Sequence, residues 1–235
     1  MYLTRFRVNA HRREARHLLA SPHRLHGAVN GAFPEPPAAD GIGPRILWRV
    51  DHNARSDILL FIVSPSRPDL THLVDQAGWP AATDAEGWQT YDYGDFLGAL
   101  TTGSTWSFRL TANPVHSIRR KEGEPTKRTA HVTFRHQARW LLQRQEKNGF
   151  EILTKPAGRR LHIEGDEHQM IVRDHRPLQF PKASRDKQLN VSITKVTYDG
   201  RLRVTDPDLL RRTLTNGLGK AKAYGCGLMT LAPIG

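Results

Sequence analysis

A single cysteine, Cys226, is all the chain holds in 235 residues. No internal disulfide can form, and the composition suits a reducing compartment. Long apolar runs are missing too. No stretch approaches the roughly 18 consecutive apolar residues of a membrane-spanning helix. The opening residues Met-Tyr-Leu-Thr-Arg-Phe-Arg-Val alternate like a strand and lack a signal peptide's apolar core, so a cytoplasmic protein is expected. There is no His-Glu-x-x-His and no cysteine pair, and His131 with His136, or His162 with His168, are irregularly spaced in basic segments. Neither a metal site nor a cofactor is expected from them. Gly-x-Ser-x-Gly is absent, which argues against a Ser-His-Asp hydrolase. Acidic residues are scarce. With 23 Asp and Glu against 35 Lys and Arg, the net charge is +12. That points to nucleic acid, an anionic membrane or another acidic partner. The basic segment His11–Leu19 has too small an apolar face for membrane binding.

Glycine and lysine are concentrated near the end of the chain. Between Asn216 and Leu228 stand Gly217, Gly219, Gly225 and Gly227 with Lys220 and Lys222. Glycine admits close backbone approach and positive φ. Such a loop can cradle phosphate, with lysine adding charge beside it. A P-loop is excluded, because Gly219-Lys220 is followed by Ala221. The dinucleotide fingerprint fails because Lys222 stands where its last glycine belongs. A polymeric phosphate backbone fits better than a nucleotide cofactor. The alternative is a turn that only closes a sheet.

In chain order, residues 2–9 read as a strand and 11–20 as a basic helix. Ser21-Pro22 starts a further helix, with Leu25, Ala28, Val29, Ala32 and Phe33 on one face and His23 three residues from His26. Strands follow at 45–51 and 57–64, a helix start and short helix over 66–77, and a weakly alternating last strand over 88–96. This is the βαββαβ order of a ferredoxin-like unit. A second half begins near Gly103 with a strand over 104–111. Residues 115–129 carry Arg119, Arg120, Lys121, Lys127 and Arg128 and read as a basic loop or hairpin. Residues 131–149 read as a helix or a strand-to-helix segment. Strands are expected at 151–154 and 159–164 around a turn with Lys155, Arg159 and Arg160. An extended segment spans 170–180, then a strand 187–197, a turn at Tyr198-Asp-Gly200 and a return strand 201–204. Thr205 or Asp206 caps a helix with Pro207 in its first turn, and 228–234 closes as a strand.

Four segments carry a specific resemblance. They are Met1-Tyr-Leu-Thr, Phe108-Arg-Leu-Thr-Ala-Asn-Pro114, Tyr198-Asp-Gly-Arg-Leu-Arg-Val-Thr-Asp206 and the closing stretch Gly217–Pro233. Together they resemble the CRISPR-associated endoribonucleases of the CasE type, repeat-cleaving subunits of the type I-E Cascade complex. The resemblance implies an α+β chain of two tandem ferredoxin-like domains related to RNA-recognition folds, here residues 1–100 and 101–235. It implies metal-independent cleavage of a repeat RNA at the base of its stem-loop, retention of the hairpin, and assembly with other Cascade subunits. The family's catalytic histidine matches His26. Some relatives have tyrosine where this chain has His23, so His23 is an open second candidate.

Metal-free RNA cleavage uses the substrate's 2′-OH as nucleophile and leaves a 2′,3′-cyclic phosphate. It needs a base, an acid and positive charge near the phosphate. Histidine suits the proton transfers. His26 is the expected base or acid, with Lys220, Lys222 or Arg24 near the phosphate. The 119–128 cluster and the Lys155, Arg159, Arg160 turn are the expected RNA-binding groups, mostly through backbone and shape. Two other readings stay open: a catalytically silent subunit that binds repeat RNA, and a structural assembly subunit.

Overall fold

Tyr2–Val8 forms the first strand, β1, and buries Thr4, Phe6 and Val8 on one face, as its period-two pattern requires. The structure is a computed structural model. It describes residues 1–35, 45–54, 57–80, 87–118, 127–162, 165–183 and 188–234. Backbone contacts divide the chain into two units. The first holds Met1–Ala99 with Thr215–Gly217 and Lys222–Leu228, and the second holds Leu100–Leu214, Leu218–Ala221 and Met229–Gly235.

In the first unit β1 is followed by α1 (Arg13–Ala20), α2 (Pro22–Asn30), β2 (Leu47–His52), β3 (Ile58–Ser64), α3 (Thr71–Ala77), β4 (Trp88–Asp92) and α4 (Gly94–Gly98). The sheet order is β2-β3-β1-β4, antiparallel throughout. This is the ferredoxin-like order. Phe6, Leu25, Val29, Trp48, Leu60, Ile62 and Leu73 belong to one buried cluster. Each such side chain contributes about 1.5–3 kcal/mol on burial. Helix α1 starts at Arg13, two residues later than expected. The Asn9 carboxamide oxygen accepts from the His11 amide at 3.0 Å and holds that turn outside the helix. Likewise β4 ends at Asp92, whose carboxylate accepts from the Gly94 amide at 2.7 Å and leads the chain into α4.

The second unit contains β5 (Thr105–Ala112), β6 (Val115–Ile118), β7 (Lys127–Ala130), α5 (Phe134–Leu142), β8 (Phe150–Ile152), β9 (Met170–Ala183), β10 (Gln188–Val204), α6 (Pro207–Asn216, whose last two residues count with the first unit) and β11 (Met229–Ala232). Its main path is β11-β5-β10-β8, the same ferredoxin-like order over again, with β9 paired to β10. The tandem α+β architecture is therefore present. The basic 115–129 segment is a hairpin at its described ends, β6 against β7. Helix α6 starts as expected, with the Asp206 carboxylate accepting from the amides of Asp208 and Leu209.

Two expectations fail, and both failures are informative. Tyr198-Asp-Gly200 is not a turn. It lies inside β10, a single strand of 17 residues. Tyr198, Asp199 and Gly200 pair with Leu110, Arg109 and Phe108 on one side and with Val172, Ile171 and Met170 on the other. Glycine is needed there for space. A Cβ on Gly200 would stand 2.3 Å from the Gln169 carbonyl oxygen and 2.9 Å from the Phe108 ring. Gly200→Val is thus expected to destabilise the second unit by about 1–3 kcal/mol through overpacking. Urea unfolding checks this, and an unchanged midpoint would refute it.

The second failure is the strand expected over 159–164. Among the described residues, Ala157–Arg159 is a single 3-10 turn and Arg160–His162 is irregular. Asp166 organises this turn: its carboxylate accepts from Lys155 Nζ and from the Leu161 amide.

Candidate active site

Helix α2 begins where Ser21 and Pro22 put it. The Ser21 hydroxyl accepts from the Arg24 amide at 3.3 Å, and Pro22 occupies the first turn. Leu25 and Val29 point into the core of the first unit. With that stripe committed, His23 and His26 fall on another side of the helix. His23 and Arg24 are exposed, and His26 is half-buried. One turn after His26 comes Asn30, whose side-chain amide lies 3.2 Å from His26 Nε2. An i, i+4 pair on a helix is close enough for such a contact. The contact restricts how the imidazole is turned.

The glycine-rich loop runs beside this helix. The short turn Lys222–Tyr224 packs on α2 and on β2. Lys222 is half-buried. Two glycines let the loop lie this close. Gly217 has φ +75°, and a Cβ there would be 2.8 Å from Leu47 Cδ2 and 3.1 Å from Lys222 Cε. Gly225 has φ +74°, and a Cβ there would be 2.5 Å from the Trp48 ring. A side chain at either position would meet both a left-handed backbone penalty and a neighbouring side chain. Neither the P-loop nor the dinucleotide pattern predicts this use of the glycines, which is packing against Leu47 and Trp48.

Arg49 anchors the other end of the loop. Its guanidinium donates to both Asp51 carboxylate oxygens, at 2.7 and 2.9 Å, and to the Leu228 carbonyl at 3.2 Å. Arg49 is only 1% exposed and Asp51 7%. The ion pair sits within β2 and ties that strand to the end of the loop.

The remaining candidates belong to the second unit. Lys220 is exposed and its backbone bridges to Asn113. Gly219 lies against the Trp140 ring, where a Cβ would be 3.1 Å away. Arg159 and Arg160 are exposed on the turn, whereas Lys155 is held by Asp166 and braces it. The Lys155 hydrogen bond, then that from the Leu161 amide, hold the Asp166 carboxyl below the usual carboxylate range. Arg119, Arg120 and Lys121 lie outside the described residues. Lys127 and Arg128 are strand positions in β7, paired with Ile118 and Ser117.

Histidines also gather in this unit. The rings of His116 and His131 stack at 4.4 Å between centroids, and His136 follows at 5.8 Å from His131. Burial, then the neighbouring His116 and His136, lower the His131 pKa. The sequence singled out His131 and His136 but not His116, which reaches them from β6. Face-to-face stacking does not converge ring nitrogens on one point. Among the described residues, no group of three or more His, Cys, Asp or Glu is arranged to hold a metal ion.

Asn30 and Arg49 are the residues that sequence reasoning missed. Asn30 was visible as the position four after His26. Its amide contributes a hydrogen bond of about 0.5–1.5 kcal/mol. If His26 acts on a substrate, Asn30→Ala is expected to slow the reaction by roughly 2- to 10-fold. Single-turnover rates set beside binding constants check this. A loss confined to affinity would contradict a positioning role.

Among the described residues no helix is long and apolar enough to cross a membrane. Residues 1–233 match the protein family described as CRISPR associated protein. The chain is 28% identical over 234 residues to the CRISPR-associated endoribonuclease Cse3 of Thermus thermophilus, covering 99% of this chain and 100% of that protein. It is 26% identical over 196 residues to the CRISPR system Cascade subunit CasE of Escherichia coli, covering 80% of this chain and 89% of the relative. Among solved structures, Thermus thermophilus Cse3 bound to an RNA representing a pre-cleavage complex superposes with a TM-score of 0.73 at 26% identity, over 99% of this chain and 98% of that one.

Proposed function

The chain belongs to the CRISPR-associated protein family, and from that premise we propose that it is a CasE-type endoribonuclease that cuts CRISPR precursor RNA at the base of the repeat stem-loop. One observation carries the reading. A helix with a half-buried histidine, oriented by Asn30 and flanked by the Lys222 turn, occurs in a chain related along its whole length to a named endoribonuclease.

The chemistry follows from those groups. The 2′-oxygen attacks the adjacent phosphorus and the 5′-oxygen departs, leaving a 2′,3′-cyclic phosphate and a 5′-hydroxyl. One proton leaves the 2′-oxygen and one arrives at the 5′-oxygen. His26 takes one of these roles. His23, one turn earlier and exposed, is the candidate for the other. Lys222 supplies positive charge for the phosphate oxygens, with Arg24 on the same helix as a further cation. Holding the scissile nucleotides in line contributes the rest. None of these roles calls on a metal.

Retention of the hairpin falls to the exposed arginines of the second unit, Arg159 and Arg160, and to the basic cluster 119–128. Lys220 and the glycine-rich backbone at Gly217 and Gly219 add phosphate contacts. In this reading residues 1–100, joined by Thr215–Gly217 and Lys222–Leu228, form the domain with the catalytic helix, and the rest of 101–235 forms the domain with the basic loops. Other Cascade subunits are the protein partners, and the cytoplasm is the location.

The test is incubation of the native protein with the host's repeat hairpin in EDTA. A single cut at the stem base with a 2′,3′-cyclic phosphate end is expected. A protein that binds the hairpin and never cuts it would be a silent RNA-binding subunit instead.

A further inference from the structure

A groove of about 620 Å³ opens in the second unit between the outer face of α5 and the chain from Gly165 to Val172. Phe134, Arg135 and Arg139 line one wall, and Glu167, Met170 and Val172 the other. Phe134 leaves 60% of its surface in solvent. Arg135 and Arg139 are one helical turn apart, so they share a face. Both are exposed, and neither side chain has an ion pair or hydrogen bond among the described residues. Two uncommitted guanidiniums beside an open aromatic ring complement an anion that carries a flat apolar surface. The groove also lies at the foot of the turn bearing Arg159 and Arg160, because just before that turn the Lys155 amide donates to the Glu167 carbonyl and Thr154 bridges to His168.

We propose that this groove seats one unpaired ribonucleotide flanking the RNA hairpin, its base against Phe134 and Met170 and its phosphate between Arg135 and Arg139. The proposal rests on the RNA-cleaving reading above. Bases inside a duplex are already stacked on each other, so a lone phenyl ring selects a base that is not paired. Stacking of this kind tolerates any base, because every base has a π-face. Glu167 tells the two ends of the nucleotide apart. Its carboxylate accepts from the Gly165 amide at 3.0 Å, and that bond above all lowers its pKa. An ionised carboxylate repels phosphate and accepts from a base N–H, amino or ring imino, so the base faces Glu167 and the phosphate faces the arginines.

The experiment uses the full chain and three RNAs: the bare repeat hairpin, and the same hairpin extended by unpaired nucleotides on its 5′ or its 3′ side, with 2-aminopurine in each extension. One extension is expected to raise native affinity about ten-fold, with 2-aminopurine fluorescence quenched by stacking. Phe134→Ala, and separately Arg135→Ala with Arg139→Ala, are expected to remove most of that gain and leave bare-hairpin affinity within about two-fold. If neither extension adds affinity in the native protein, or if the variants keep both gain and quenching, the proposal is overturned. If the variants bind every RNA like the native protein but lose a co-purifying subunit, the groove docks protein and the proposal is again wrong. If the native protein binds no hairpin at all, the RNA reading itself fails and the groove falls with it.

Discussion

His26→Ala is expected to slow hairpin cleavage by about 10²–10⁴-fold and leave hairpin affinity near its native value. The size follows from what a positioned proton donor or acceptor contributes to a transition state. The retained affinity follows from the assignment of binding to arginines elsewhere in the chain. His26 is half-buried in the middle of α2, and its neighbours Leu25 and Val29, not His26, carry that helix's core packing. The substitution should therefore leave the fold intact. Single-turnover cleavage in EDTA, paired with equilibrium binding, makes the comparison. A substrate with a 2′-deoxy nucleotide just 5′ of the cut should stay whole with native protein, since the nucleophile has gone. A variant that cuts at the native rate would remove His26 from the mechanism and make His23 the next residue to test. His23→Ala then has a definite meaning: a further loss of comparable size assigns the second proton transfer to it, and a small loss leaves it as an RNA contact.

The largest stability effect is expected at Asp51. Replacing it with alanine leaves the Arg49 guanidinium, 1% exposed, without its carboxylate. Breaking one side of a buried ion pair costs about 3–5 kcal/mol, because the remaining charge stays out of water with poor compensation. The wild-type pair itself contributes much less, since desolvation of both ions offsets most of their attraction. A double variant, Arg49→Met with Asp51→Leu, should therefore recover much of what Asp51→Ala loses. Urea unfolding of the three proteins tests this, and a loss below about 1 kcal/mol for Asp51→Ala would show that the pair is dispensable. Catalysis should suffer as well, since Arg49 also donates to Leu228 at the end of the loop that brings Lys222 to α2.

Much of the architecture was legible where local chemistry and tertiary context agree. Ser21-Pro22 caps α2, Asp206-Pro207 caps α6, and the apolar run at 58–63 is β3 inside its sheet. Misreadings arose where they disagree. Tyr198-Asp-Gly200 has the composition of a turn, but β5 and β9 pair with it on both sides and keep it extended. Among the described residues the 159–162 segment has no such strand partner, and Asp166 gathers its backbone into a turn. In the candidate site, His26 and His23 were nameable in advance through the family resemblance, and Arg24 and Lys222 because basic residues carry obvious chemistry. Asn30 was passed over because an amide announces no chemistry of its own, and its role exists only through the imidazole four residues earlier. Arg49 was hidden by the opposite problem. An arginine in a mostly apolar strand reads as its solvent side, and only the structure shows that Asp51, two residues on along the same strand, keeps it inside.

The path of the glycine-rich loop has a consequence for how the protein comes into being. Thr215–Gly217 and Lys222–Leu228 pack with a unit whose other residues all precede Leu100. A ribosome delivers that unit's sheet and helices first and its last piece more than a hundred residues later. Until then the Trp48 ring has no Gly225 against it, the Arg49 guanidinium has no Leu228 carbonyl, and α2 has no Lys222 beside it. The residues of α2 are then already synthesised, and Lys222 is not. Any message broken off between residues 100 and 215 yields a fragment without Lys222, the residue proposed above to supply charge for the scissile phosphate.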